Sequence, residues 1–351
     1  MTAEKKSIET LQALRFLAAL LVVIYHVFLH YQARKGTLPV QFNRYISFVG
    51  VDIFFVISGY VMWRTTASRS AMNDAARFLY NRCVRIFAGY WPIIAVLFAI
   101  MAIHEPQRLA MYDWLSAVLL FPVPGNLRPL DVNWTLIFEM LFYATMAVGI
   151  AFRSRRNVML AFTVAVIVIA ILPKSGFYAL RFFQNPIPLE FLAGCFVAYL
   201  LERPSDRGGP TFLILGVTLI LGSGMLFMVR QELPGPWERV LTYGLASALI
   251  VFGTVRLDSK VRTPHSMVVL GDSSYAIYLL HVPILTFVWH HLPSSYGVWF
   301  FYRNLEIGAA VIVVATLALS VVYHYQIERP LMKFGRNVSL ARSPKPEKIP
   351  T

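Results

Sequence analysis

ALRFLAALLVVIYHVFLH, residues 13–30, is long and apolar enough to cross a lipid bilayer, yet it carries Arg15 near one end and His26 near the other. A spanning helix needs about 20 mostly apolar residues to cross a hydrocarbon core about 30 Å thick. Ionisable groups are costly there, so those that are retained are candidates for function. The two residues are eleven positions apart, about three turns of helix, which sets them on one face and about 16 Å apart along the axis.

Stretches of this kind recur along the chain. Of 351 residues, 57% are hydrophobic and only 14% charged, and the mean hydropathy is +0.60, far from the balance of a soluble domain. The sequence therefore reads as an all-α polytopic membrane protein. About ten spans are expected, at about residues 8–30, 46–64, 86–103, 134–152, 157–172, 187–201, 211–229, 238–255, 272–291 and 304–325. The amphipathic stretch Met111 to Phe121 reads as an interfacial or re-entrant segment. The first apolar segment is too long for a cleaved leader and lacks a small-residue cleavage site, so it is expected to stay as an anchor. The two cysteines, Cys83 and Cys195, do not suggest a disulfide framework.

A net charge of +14 invites a nucleic-acid reading, but its distribution points elsewhere. With ten spans and the N-terminus inside, roughly two thirds of the 32 Lys and Arg residues fall on the inner side. The positive-inside rule then places both termini in the cytoplasm and accounts for most of the basic residues as topology determinants. Residues 1–335 form the expected membrane domain, and residues 336–351 read as a basic, disordered cytoplasmic tail near anionic lipid. No internal repeat and no loop long enough to fold separately is visible, so the chemistry is expected inside the bundle.

Three ionisable residues are expected at similar depth in the outer third of the membrane: His26, Asp52 in FVGVDIFFVISGYVMW, and Glu139 in DVNWTLIFEMLFY. If their helices are neighbours, a carboxylate orients the imidazole and fixes its tautomer, leaving the other nitrogen to accept a proton. The alternative is that Asp52 and Glu139 cap helix ends or pair with arginines of the outer loops. Further along, RFLYNRCVRIFAGYWP is expected in the cytoplasmic loop before the third span. It sets Arg82 and Arg85 three residues apart on one helical face, with Tyr90 following at the membrane. Planar guanidinium pairs suit phosphate, although arginines are expected in inner loops in any case. In GDSSYAIYLLHVPIL, His281 falls mid-membrane on the face of Tyr278, where a packing role is as natural as a catalytic one. A Gly-rich phosphate loop, an HExxH motif, a Cys/His cluster with metal spacing and a Gly-x-Ser-x-Gly elbow are all missing from the sequence.

LQALRFLAALLVVIYH, GVDIFFVISGYVM, NRCVRI, WTLIFEMLFY and SYAIYLLHVPI, closed by IERPL at Ile327 to Leu331, occur here in the order found in the integral-membrane acyltransferase family 3. The chain resembles that family over about Ile8 to Leu331, and is most similar to its stand-alone acetyltransferases that decorate bacterial exopolysaccharides. The resemblance implies a multi-pass protein of the bacterial inner membrane that moves an acyl group, usually acetyl from cytoplasmic acetyl-CoA, to a hydroxyl of a polysaccharide or its lipid-linked precursor. It implies functional roles for His26 and Glu139; joined to the depth argument, this makes His26 a general base or acyl carrier oriented by Glu139 or Asp52. It also implies Arg15, Arg82 and Arg85 on the acyl-CoA side, beside which the sequence itself sets Tyr90, and no metal is required. One departure is that Ala88 and Gly89 stand where the family often has a proline soon after the arginine pair. A proton-coupled transporter or flippase is the main rival reading from composition, because buried His, Asp, Glu and Arg suit a carrier equally. A non-catalytic subunit of polysaccharide-export machinery is another.

Overall fold

The computed structural model describes residues 8–35, 42–202, 208–291 and 305–341. Among them there is no strand, and the chain runs through twelve principal helices. These are α1 (Glu9–Lys35), α2 (Val49–Thr65), α3 (Met72–His104), α4 (Trp134–Ala151), α5 (Arg155–Ile171), α6 (Pro188–Leu200), α7 (Gly209–Arg230), α8 (Pro236–Leu257), α9 (His265–Asp272), α10 (Ser274–His291), α11 (Leu305–Tyr323) and α12 (Arg329–Ala341). Helix is the form these apolar sequences take because hydrocarbon offers no partner for backbone N–H and C=O groups, which the helix satisfies internally.

Each of the ten expected spans coincides with one or more of these helices. Seven helices among the described residues are long and apolar enough to cross a membrane, and α9 with α10, bent by 65° at their junction, would make an eighth. The other two differ from expectation in length. α5 has 17 residues and α6 only 13, so α6 extends about 20 Å, short of a hydrocarbon core.

α2 is the centre of the bundle, with 72% of its span buried inside the protein. Apolar residues gain little by packing on one another rather than on lipid, so close approach in a membrane depends on small side chains. The contact of α2 with α6 is built this way from both sides. A Cβ added at Gly59 would lie 1.9 Å from the carbonyl oxygen of Phe191, and one added at Gly194 would lie 2.0 Å from that of Val56. α1 lies against another side of α2, while α3, α4 and α10 enclose the space beyond it. α7 packs on α8 at the periphery and leaves residues such as Ile214 and Val229 exposed, as a lipid-facing helix does.

Two expectations about chain organisation are corrected. The segment Arg77 to Pro92 is not a loop but part of the 33-residue helix α3, which continues through Pro92. And α12 runs through residue 336 to Ala341, so the end of the bundle lies beyond the boundary expected there. Its Gly335 sits on Val84 of α3, and Tyr80 donates a hydrogen bond to the Gly335 carbonyl at 2.9 Å, which fastens α12 along α3. The stretch after Met111 forms a short helix, Trp114–Leu119, with Leu115, Leu119 and Phe121 exposed, the pattern of a segment lying at a membrane surface. Both cysteines are free.

Candidate active site

A cavity of about 290 Å³ lies between α1, α2, α3, α4 and α10, and α12 reaches its edge. Its charged lining residues are Arg15, Arg82, Arg85, Arg336 and Glu139. The wall is otherwise largely apolar and aromatic, with Ser58, Thr135, Tyr143, Ser274, Tyr275 and Tyr278 as its polar members.

Each charged group is set by its helix. Arg15 is two turns into α1, where its Nη1 donates to Gln12 Oε1 at 3.1 Å, one turn back on the same face. Arg82 and Arg85 project from one face of α3. The Arg82 guanidinium lies over the rings of Phe78 and Tyr143, 5.5 and 5.7 Å from their centroids, and that of Arg85 lies 5.8 Å from the Tyr275 centroid. Aromatic faces favour a cation electrostatically but do not neutralise it. Among the described residues none of the four arginines is within ion-pair distance of a carboxylate. The one acidic lining residue, Glu139, is held elsewhere: Tyr143 and Ser58 both donate to its Oε1, the latter at 3.3 Å. The cavity is therefore cationic and half-buried, a setting in which an anionic ligand gains more than it would in open water.

Gly89 belongs to the same construction. A Cβ there would lie 2.7 Å from the Tyr275 ring and 3.3 Å from the Glu328 side chain. The absence of a side chain lets α10 and the π-helical turn His324–Glu328 close on α3 just behind Arg85. Tyr323 uses the proximity to donate to the Gly89 carbonyl at 2.6 Å. This gives a local physical reason for glycine at position 89.

The expected convergence of His26, Asp52 and Glu139 is not what the structure has. Asp52 is fully buried and faces Arg239 of α8, which donates from Nε and Nη2 to the two carboxylate oxygens at 2.8 and 3.0 Å. Glu139 is tied to Ser58, six residues further along α2 than Asp52, so it lies about 9 Å deeper. α4 begins at Trp134 as expected, but the depth estimate failed because a count from the loop cannot register one helix end against another. His26 has its Nδ1 2.9 Å from the Val22 carbonyl and its ring edge-on to that of His281, with centroids 4.7 Å apart. It is not a lining residue of the cavity. The sequence of rings from the cavity is Tyr278, then His281 at 5.7 Å, then His26. Tyr90 also stands outside the lining: it is buried, its hydroxyl donates to the Ala117 carbonyl at 2.8 Å, and Asn133 donates to it at 3.4 Å.

Arg15, Arg82, Arg85 and Glu139 thus share one cavity, whereas His26, Asp52 and Tyr90 do not line it. Reasoning from sequence missed Ser58, Tyr143, Tyr275 and Arg336. The spacing of Glu139 and Tyr143, four residues apart in one helix, was a readable signal; Arg336 had none beyond its charge. Among the described residues no group of three or more His, Cys, Asp and Glu side chains is placed to hold a metal ion.

The model of an acyltransferase domain matches residues 8–325, nearly the whole chain. The chain belongs to this acyltransferase family. It is 30% identical over 308 residues to the exopolysaccharide production protein ExoZ of Rhizobium meliloti, covering 83% of this chain and 91% of that one. It is also 24% identical over 366 residues to the O-acetyltransferase OatA of Staphylococcus aureus, and 23% identical over 372 residues to the peptidoglycan O-acetyltransferase OatA of Listeria monocytogenes. Those two alignments cover 93% and 94% of this chain but only 57% of each relative, so the chain spans little more than half the length of either. No solved structure matches the chain. The protein is thus a multi-pass membrane acyltransferase by family and fold.

Proposed function

We propose that this protein is a membrane O-acetyltransferase that transfers the acetyl group of acetyl-CoA to a hydroxyl of an exopolysaccharide or its lipid-linked precursor, in the bacterial inner membrane. The acceptor class rests on the names of the relatives, which act in exopolysaccharide production or on peptidoglycan. The observation that carries the donor reading is the cavity itself, where four arginines face one carboxylate with none of them in ion-pair contact among the described residues. CoA is a polyanion with a long, slender thioester arm. Its phosphates answer the charge of Arg82 and Arg85, and its arm answers a narrow cavity of aromatic and apolar walls.

In the reaction the acceptor hydroxyl loses its proton to His26, its oxygen attacks the thioester carbonyl, the carbon–sulfur bond breaks, and the CoA thiolate leaves and is protonated. For His26 to be the base, the thioester must extend past Tyr278 to the paired histidines. Arg15, nearer the phosphates on the same helix, favours the anionic donor and leaving group. The distribution of basic residues supports an orientation with the arginine end of the cavity cytoplasmic and the His26 end outward. A relay uses the same residues: the His26 nitrogen takes the acetyl group as the CoA thiolate leaves, and the sugar hydroxyl then attacks that carbonyl, loses its proton and releases the imidazole.

The test is turnover by purified protein in detergent with acetyl-CoA and an oligosaccharide acceptor, followed by release of free CoA thiol and by mass spectrometry of the glycan. Acetylated glycan with stoichiometric thiol is expected. Arg82→Ala and Arg85→Ala should each raise KM for acetyl-CoA about tenfold or more, the range for a lost charge-assisted hydrogen bond. Absence of thioester-dependent thiol release would remove the donor assignment.

A further inference from the structure

The family domain matches up to residue 325, yet one of the four arginines of the cavity comes from beyond it. Arg336 lies on α12, the helix that follows the π-helical turn His324–Glu328. Its position is fixed by the seam between α12 and α3 rather than by its own contacts. Gly335 packs on Val84, with the place of a Cβ only 2.8 Å from the valine Cγ1, and Tyr80 holds the Gly335 carbonyl. Val84 lies between Arg82 and Arg85 in sequence, so the seam brings the next residue of α12 to the same edge of the cavity as that pair. Met332, one turn earlier, is buried under the same helix.

The three arginines are not equivalent in depth. Arg82 and Arg85 are half-buried along the cavity wall, whereas Arg336 is exposed at its edge. Among the described residues no carboxylate is in ion-pair contact with any of them. Besides Arg15, the cavity thus offers cationic groups at two levels, the half-buried pair on α3 and the exposed arginine on α12, which suits a ligand with more than one anionic group.

We infer that Arg336 is a binding residue for the donor, recognising the phosphate farthest from the thioester, the ribose 3′-phosphate of CoA, while Arg82 and Arg85 take the diphosphate. This rests on the donor reading given above. Along the CoA molecule the diphosphate lies between the pantetheine arm and the ribose, so a thioester directed into the cavity leaves the 3′-phosphate outermost. The helix C-terminal to the family domain thereby becomes part of the substrate site of this chain.

The experiment compares acetyl-CoA with 3′-dephospho-acetyl-CoA as donors for the wild type, Arg336→Ala and Lys333→Ala, all as full-length protein in detergent. Lys333 is exposed on the same helix and does not line the cavity, so Lys333→Ala controls for the loss of one positive charge. KM for acetyl-CoA is expected to rise about tenfold in Arg336→Ala, with kcat unchanged and Lys333→Ala like wild type. With the dephospho donor, wild type and Arg336→Ala should have equal KM, because the group that Arg336 reads is gone. An Arg336→Ala penalty of the same size with both donors, or none with either, overturns the inference. A wild type without turnover on either donor would instead remove the donor reading on which it rests. Gly335→Leu supplies a second route: prising α12 from Val84 should reproduce the loss of discrimination with Arg336 intact.

Discussion

The imidazole rings of His26 and His281 meet edge-on, with centroids 4.7 Å apart, although 255 positions separate them in the chain. α1 and α10 pack directly, and the meeting lies one residue group beyond the cavity, past Tyr278. If His26 is the base, His281 restrains the ring that has to take the proton. Removal of His26 by His26→Ala is then expected to lower kcat by a factor of about 10² to 10⁴, the usual contribution of a general base. His281→Ala should lower kcat by about tenfold and leave KM for acetyl-CoA within twofold, measured by thiol release. Near wild-type turnover in His26→Ala would end the assignment.

Glu139 stands among four arginines with its Oε1 held by Tyr143 and Ser58. Its negative charge opposes a polyanionic donor while it supports the surrounding cations. Glu139→Gln should therefore lower KM for acetyl-CoA, because the cavity becomes more cationic, and lower kcat by about tenfold or more as the arginines lose the one negative charge near them. Tyr143→Phe removes one hydrogen bond to the carboxylate and should show the same signs at smaller size. Steady-state kinetics over a range of donor concentrations separates the two parameters; a raised KM in Glu139→Gln would contradict the electrostatic account.

Asp52 and Arg239 form a bidentate pair with the carboxylate fully buried and the guanidinium side chain 17% exposed. Removing one partner strands the other charge, and for buried pairs this costs about 3–5 kcal/mol. Asp52→Ala should lower the thermal unfolding midpoint in detergent markedly, whereas Asp52→Ala with Arg239→Met should recover part of the loss. A single variant as stable as wild type would show that the charge finds another partner.

Asp113 caps the short helix Trp114–Leu119, accepting from the Ser116 backbone N–H at 2.9 Å and from its hydroxyl at 2.8 Å, and these bonds hold its carboxyl below the usual range. A depressed carboxyl stabilises the fold above its unfolded pKa, about 3.9, and the contribution is lost as pH falls through the lower folded value. That helix supplies the Ala117 and Val118 carbonyls to which Tyr90 and Trp91 donate, so it anchors the middle of α3. Asp113→Ala is expected to cost about 1 kcal/mol at neutral pH, and less as pH falls through the lowered carboxyl value. Tyr90→Phe should lower stability by about 1 kcal/mol and leave KM for acetyl-CoA unchanged, since its hydroxyl is engaged away from the cavity.

The fold class was readable because each span carries its own evidence: about 20 apolar residues can only be helix in lipid, wherever their neighbours are. The arginine pair was equally readable, since Arg82 and Arg85 lie on one helix and their common face follows from their spacing alone. What the sequence could not decide was which helices touch and at what height. Glu139 was expected at the depth of His26 and meets Ser58 and Tyr143 deeper in the bundle; Asp52 was read as orienting an imidazole, capping a helix end or pairing with an outer-loop arginine, and it holds Arg239, 187 positions away. Arg336 read as the start of a disordered tail, whereas the seam of Gly335 on Val84 sets it at the cavity edge. Depth along a single helix is fixed by 1.5 Å per residue, but the offset between two helices is set by their loops and by where small residues let backbones meet. ALRFLAALLVVIYHVFLH therefore determined by itself that Arg15 and His26 share a face about 16 Å apart. That Arg15 opens into the cationic cavity while His26 turns to His281 beyond it was decided by the packing of α10 against α1.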